Sequence, residues 1–208
     1  MIGSGEAPPG QTRRGVLRGL AEIPIIAVLA VLIVVVLRAV LVQPFYIPSA
    51  SMVPQLQVND KILVSRVSYR LHSVHRGDIV VFNAPPGVEI PGAHHGGPLA
   101  FVTERLGLTP RTDVLVKSVI GLPRDTVAGR DNRVYVNGRL LVEPYLPVGT
   151  MFETSDFPLT KVPPHSLWVM GDQRQDSEDS HIFGPIKTGS VIGRAVVKMW
   201  PLSNMSFL

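Results

Sequence analysis

The pattern of apolar and polar positions divides the chain into two unlike parts. From Ile23 to Val42 it reads IPIIAVLAVLIVVVLRAVLV, apolar on every side apart from Arg38. About 20 such residues cross the roughly 30 Å hydrocarbon core of a bilayer as a helix, so residues 21–42 are predicted to form a transmembrane helix. Arg38 lies near its C-terminal end, where a long side chain can snorkel to the headgroups. An amphipathic core helix would keep a polar stripe, and this segment has none. A cleavable signal peptide is the competing reading, because Ser49-Ala50-Ser51 is a small-x-small pattern, but its apolar region is usually about 7 to 15 residues long.

Beyond Val42 the pattern shortens to β-like runs separated by Gly, Pro, Asn and Asp. Examples are Ile62 to Ser65, Asp78 to Phe82, Val114 to Ile120 and Val191 to Trp200. Within VYVNGRLL, Asn137-Gly138 supplies the residues that a type I′ hairpin turn requires. This part is therefore expected to be mainly β, spanning 43–208, with a small hairpin subdomain over 126–165. Residues 83–113 begin Pro/Gly/His-rich and continue as LAFVTERLGL, a loop and short-helix insertion. Residues 1–20, with little apolar pattern, are expected to be a disordered cytoplasmic tail.

Charge orients the span. Arg13, Arg14 and Arg18 precede it, whereas the first lysine after it is Lys61. By the positive-inside rule the N-terminus is cytoplasmic and residues after Val42 are extracytoplasmic, a single-pass plasma-membrane topology. Phe45 and Tyr46 then suit the interfacial aromatic belt. The net charge of +4 includes no basic run with interleaved aromatics, which argues against a nucleic-acid partner. With no cysteine in 208 residues, thiolate metal clusters, a cysteine nucleophile and disulfides are excluded.

Candidate chemistry is sparse. Ser51 lies in Tyr46-Ile-Pro-Ser-Ala-Ser-Met-Val-Pro54, nine residues past Val42 (51 − 42 = 9), and so within roughly 30 Å of the span's end even when extended. On its own this stretch reads as a linker. A serine nucleophile needs a base, and none of the six histidines (His72, His75, His94, His95, His165, His181) sits in a catalytic or metal-binding motif. A lysine can serve if burial lowers its pKa from about 10.4 by roughly 3 units. Strand alternation puts Leu115, Lys117 and Val119 on one face, and Lys198 fits almost equally well beside Val196 and Trp200. Periodicity leaves these two lysines tied.

Several stretches together resemble bacterial type I signal peptidases. They are Ile47-Pro-Ser-Ala-Ser-Met-Val-Pro54, Arg76-Gly-Asp-Ile-Val-Val-Phe82, Lys117-Ser-Val-Ile-Gly-Leu-Pro123, VYVNGRLLVEPYL, and Gly171-Asp-Gln-Arg-Gln-Asp-Ser-Glu-Asp-Ser180. The resemblance implies a barrel-like extracytoplasmic β-sheet fold and cleavage of signal peptides from preproteins after small residues. It implies Ser51 as nucleophile and Lys117 as base, with Ser49 and the Ser51 N–H forming the oxyanion hole. It also implies that Ser177 orients the lysine and that Asp179 supports that region. Preproteins and the lipid bilayer are the implied partners, and no metal or cofactor is implied.

The chain departs from the family pattern at His181, where an arginine normally follows the Asp-Ser pair. A neutral imidazole offers no bidentate fork, so the support from Asp179 is expected to depend on pH. Gln173, Gln175-Asp176 and Arg124 also replace the usual residues, the last a glycine. A self-cleaving Ser/Lys repressor, an S-x-x-K penicillin-recognising enzyme and a membrane-tethered binding module are the rivals. Against them stand the span without a helix-turn-helix, Pro54 and Met52 at the lysine positions, and the retention of both Ser51 and Lys117.

Overall fold

A computed structural model describes residues 23–31, 33, 41–88, 90, 114–149 and 152–208. The expected tail, part of the expected span and most of the 83–113 insertion lie outside the described residues. The chain divides between Val40 and Leu41 into two units. In the first, residues 23–31 and 33 are helical and expose Ile23, Ile25, Ile26, Val28, Leu29, Val31 and Ile33. Among the described residues no helix is long and apolar enough to cross a membrane.

The second unit is mainly β. An eight-stranded sheet contains β1 (Val42–Tyr46), β2 (Lys61–Ser65), β3 (Ile79–Asn83), β4 (Val114–Gly121), β9 (Ser166–Met170), β10 (Ile186–Lys187), β11 (Val191–Trp200) and β12 (Ser206–Phe207). Its order is β1-β2-β11-β3-β4-β9-β10, with β12 also pairing β11. A four-stranded sheet, ordered β7-β6-β5-β8, is built from β5 (Thr126–Arg130), β6 (Arg133–Val136), β7 (Arg139–Leu140) and β8 (Phe157–Lys161). Asn137 and Gly138 join β6 to β7 with φ of 52° and 75°, as the hairpin text predicts.

Two details correct the sequence reading. Val42 is not the end of a helix: it begins β1, opposite Ser65 of β2. Phe45 is not an interfacial aromatic. It is 4% exposed and packs with Ile47, Met52, Leu56, Ile62, Val64, Ile79, Val81 and Ala195. Strand alternation brings Phe45 into this core, whereas Tyr46 is exposed and hydrogen-bonds Asn59.

Apolar alternation on β3 explains why the larger sheet is buried on both faces. Ile79 and Val81 join the cluster around Phe45, while Val80 and Phe82 pack with Val119, Leu167, Val169 and Ile186. β4 runs between β3 and β9 and so has a hydrogen-bonded neighbour on either side. The backbone of such a strand is withdrawn from water on both edges. β11 pairs with β2, β3 and β12, and its register shifts between Val191 and Gly193, Ala195 and Val197, and Lys198 and Trp200. Such bulges bend a strand and increase its twist.

Candidate active site

Ser51 lies in the loop between β1 and β2, and its neighbours are what hold it. Met52 and Leu56 are 1% and 0% exposed and plug the loop into the core. The loop's turns are closed by Val53 N–H to Ala50 O (2.9 Å) and Leu56 N–H to Met52 O (2.8 Å). Gln173 N–H donates to the Ser51 carbonyl at 3.0 Å. The backbone at Ser51 is thereby tied to the 171–180 segment while its hydroxyl stays partly accessible.

Lys117 comes from β4 and is 2% exposed. Its Nζ donates to Ser51 Oγ at 2.9 Å and to Ser177 Oγ at 2.8 Å. Burial pushes the amine down to about 8, against the opposing pull of Asp179, Asp172, Glu178 and Asp176. The amine therefore gives up its proton near neutral pH rather than in strong alkali.

Hydrogen-bond direction then decides where its lone pair points. Ser177 Oγ donates to Asp179 Oδ2 at 2.8 Å, so toward Lys117 it can only accept. A neutral amine that donates one N–H to Ser177 is left with its lone pair free for the Ser51 proton. Gly171 makes this packing possible: a Cβ there would lie 2.2 Å from Ser177 Oγ and 2.7 Å from the Ser51 carbonyl oxygen.

Asp179 is 0% exposed and well satisfied. Its Oδ2 also accepts from Gly171 N–H at 2.9 Å. Its Oδ1 accepts from His181 N–H at 3.1 Å, as the N-cap of the short helix Ser180–Phe183, and meets His181 Nδ1 at 2.6 Å. Burial alone would raise this carboxyl. The His181 side chain and the two backbone donors outweigh that and hold it below the ordinary carboxylate range. Reciprocally, the bond to Asp179 raises the imidazole above its ordinary value, against burial and the Lys117 charge.

A second layer was not legible in the sequence. Asp172, 0% exposed, accepts from Ser118 Oγ at 2.9 Å, and burial pushes its carboxyl up to about 7. Arg174 Nε donates to the Gly171 carbonyl at 2.9 Å, and its other nitrogens reach Thr154 Oγ1 (3.1 Å) and Glu143 Oε1 (2.5 Å). The 171–180 stretch reads as a polar turn, and local sequence holds no signal of its burial. Only the fold around it shows that its polar groups bond each other rather than water.

The structure thus brings Ser51, Lys117, Ser177 and Asp179 into one hydrogen-bonded chain. Ser49 Oγ lies 3.3 Å from Ser51 Oγ, on the exposed side. Lys198, tied with Lys117 by periodicity, is also buried but sits elsewhere, bonded to the Gln55 carbonyl at 3.2 Å and 3.9 Å from Asp60 Oδ2. Arg124, in place of the glycine, adopts φ of 76°, the left-handed conformation that glycine occupies freely and that costs other residues about 1 to 2 kcal/mol. His94 and His95 lie outside the described residues.

In this mainly β protein a buried amine is thus set against the hydroxyl of a loop serine. Comparison with known proteins makes the family specific. A family described as "Signal peptidase, peptidase S26" matches residues 20–200. A probable signal peptidase I-2 of Synechocystis sp. is 35% identical over 181 residues, covering 87% of this chain and 73% of the relative. Signal peptidase I of Mycobacterium tuberculosis is 34% identical, covering 94% and 76%. A crystal structure of a signal peptidase I from Enterococcus faecalis V583 is 29% identical, covering 60% of this chain and 98% of that one, with a TM-score of 0.43. The chain belongs to the signal peptidase family S26. It is a type I signal peptidase, a hydrolase of the serine endopeptidase class.

Proposed function

We propose that Ser51 and Lys117 form the catalytic dyad of this peptidase. In the reaction, neutral Lys117 takes the Ser51 proton as Oγ attacks the scissile carbonyl of a preprotein. The oxyanion that develops is met by the Ser51 N–H and the Ser49 hydroxyl, donors of a kind that contribute a few kcal/mol each. The lysinium then protonates the leaving amine. Water, deprotonated by the same lysine, frees the acyl group and restores Ser51.

The observation that carries this reading is the 2.9 Å bond between Ser51 Oγ and a Lys117 amine that is 2% exposed and held near 8. Desolvation makes the base, and Ser177 and Asp179 aim it. The substrate is a signal-peptide-bearing preprotein, cut after a small residue of an Ala-x-Ala type sequence. The apolar segment 21–42, shortened by the strand that starts at Val42, anchors the chain in the membrane with its catalytic part outside the cytoplasm. Support for the anchor is the exposure of large apolar side chains along residues 23–31 and 33.

The deciding experiment incubates the purified chain in detergent with a labelled preprotein whose signal peptide ends in Ala-x-Ala, beside Ser51→Ala. Cleavage after the small residue by the parent chain alone is expected. Equal cleavage by the variant would remove Ser51 from the chemistry.

A further inference from the structure

The buried Asp179 carboxylate creates a difficulty for the base it supports. A negative charge close to Lys117 favours the ammonium form, and Asp179 is the largest of the four carboxylates that do so, ahead of Asp172, Glu178 and Asp176. Charge on the far side of Asp179 should therefore matter to Lys117. His181 is that neighbour, with Nδ1 at 2.6 Å from Asp179 Oδ1 and a side chain 22% exposed to solvent protons.

Asp179 does not need the imidazole to stay in place. Gly171 N–H and His181 N–H, both backbone donors, grip its two oxygens, and Ser177 Oγ bonds it as well. What the side chain of residue 181 uniquely contributes is a charge that comes and goes with pH. Resting on the dyad reading above, we propose that His181 is a positioning residue acting through charge rather than geometry: its imidazolium offsets Asp179, so that Lys117 gives up its proton to become the base. The groups facing the pair are those four carboxylates around Lys117, and Asp179 and Lys117 around His181.

The sign follows from coupling. As pH rises, His181 loses its proton and Asp179 stands uncompensated beside Lys117, which then holds its own proton more firmly. Two such groups titrate as a pair, so deprotonation of the base spreads over a wider pH range than a single site would show. A permanent cation at 181 should restore a one-proton limb at lower pH. A neutral hydrogen-bonding residue should move it higher.

The test uses the full chain in detergent micelles, as wild type, His181→Arg and His181→Asn. Lysine labelled with ¹³C at Cε reports the Lys117 titration by NMR, assigned by its loss in Lys117→Met. The pH profile of kcat/KM for a labelled preprotein is measured alongside. Midpoints are expected in the order Arg below wild type below Asn, with the extremes separated by about one pH unit, or about tenfold in kcat/KM on the acidic side. The alkaline plateau of kcat should change little. Coincident midpoints, or plateaus that collapse alike in both variants with the midpoint unmoved, would overturn the inference and leave a purely geometric role. Should one variant not fold, the other against wild type still decides. Absence of preprotein cleavage by the wild type would sink the dyad reading instead, because the NMR titration needs no turnover.

Discussion

Two lysines are buried among the described residues, and they live in opposite surroundings. Lys117 on β4 is 2% exposed and faces two hydroxyls, Ser51 and Ser177. Lys198 on β11 is 5% exposed and faces a peptide carbonyl and, at 3.9 Å, the buried Asp60 carboxylate. Hydroxyls can bond an amine in either protonation state. A carboxylate beside the amine stabilises the charged form. Similar burial therefore sets one amine against two hydroxyls and the other beside a carboxylate, and the nearest partner makes the difference.

The sharpest way to break the contrast is by activity. Lys117→Ala and Ser51→Ala are each expected to lower kcat for preprotein cleavage by about 10³-fold or more, measured in detergent with circular dichroism confirming the fold. Retained turnover in either would dissolve the distinction between the two lysines.

Stability gives the next largest effect, with opposite signs. Holding Lys117 near 8 instead of 10.5 costs the fold about 3 kcal/mol at neutral pH, from 2.5 units at about 1.36 kcal/mol each. The folded pKa is the lower one, so between pH 8 and 10.5 the unfolded chain binds more protons and the fold gains stability as pH rises. Lys117→Met should therefore stabilise the protein by about 1 to 3 kcal/mol at pH 7 in urea unfolding, an advantage that shrinks toward pH 10.5. Lys198→Met should instead destabilise it by about 3 kcal/mol, because Asp60 is left buried without its cation. Destabilisation by both substitutions would show that the two amines are held alike.

Smaller effects refine the picture of the base. Below pH 8 the parent kcat/KM should fall by up to about tenfold per pH unit as Lys117 takes up its proton, while Lys198→Met should leave that limb where it is. Ser177→Ala should cost roughly tenfold to a hundredfold in kcat with little change in KM, because the amine loses the acceptor that orients its lone pair. A KM effect alone would place Ser177 in substrate binding.

Much of the fold was legible because apolar periodicity is a local property. The runs at Ile62, Asp78, Val114 and Val191 fall on β2, β3, β4 and β11, and Asn137-Gly138 turns the expected hairpin. The start of β1 was missed, since an apolar helix running into Val42-Gln-Pro-Phe-Tyr gives no local sign that Val42 pairs with Ser65. Arg124 holds the left-handed conformation that the usual glycine suits.

By itself the sequence determined which strands could form, that a serine and a lysine were available, and, through its ordered motifs, the family. Periodicity left Lys117 and Lys198 tied and the ordered motifs implied Lys117; tertiary structure decided what surrounds that amine, and that the polar stretch 171–180 turns inward beside it. The reason is physical: strand periodicity depends on neighbours one and two residues away. The protonation of an amine depends on what lies within a few ångströms in space, and for Lys117 those groups are 66 and 60 residues distant along the chain.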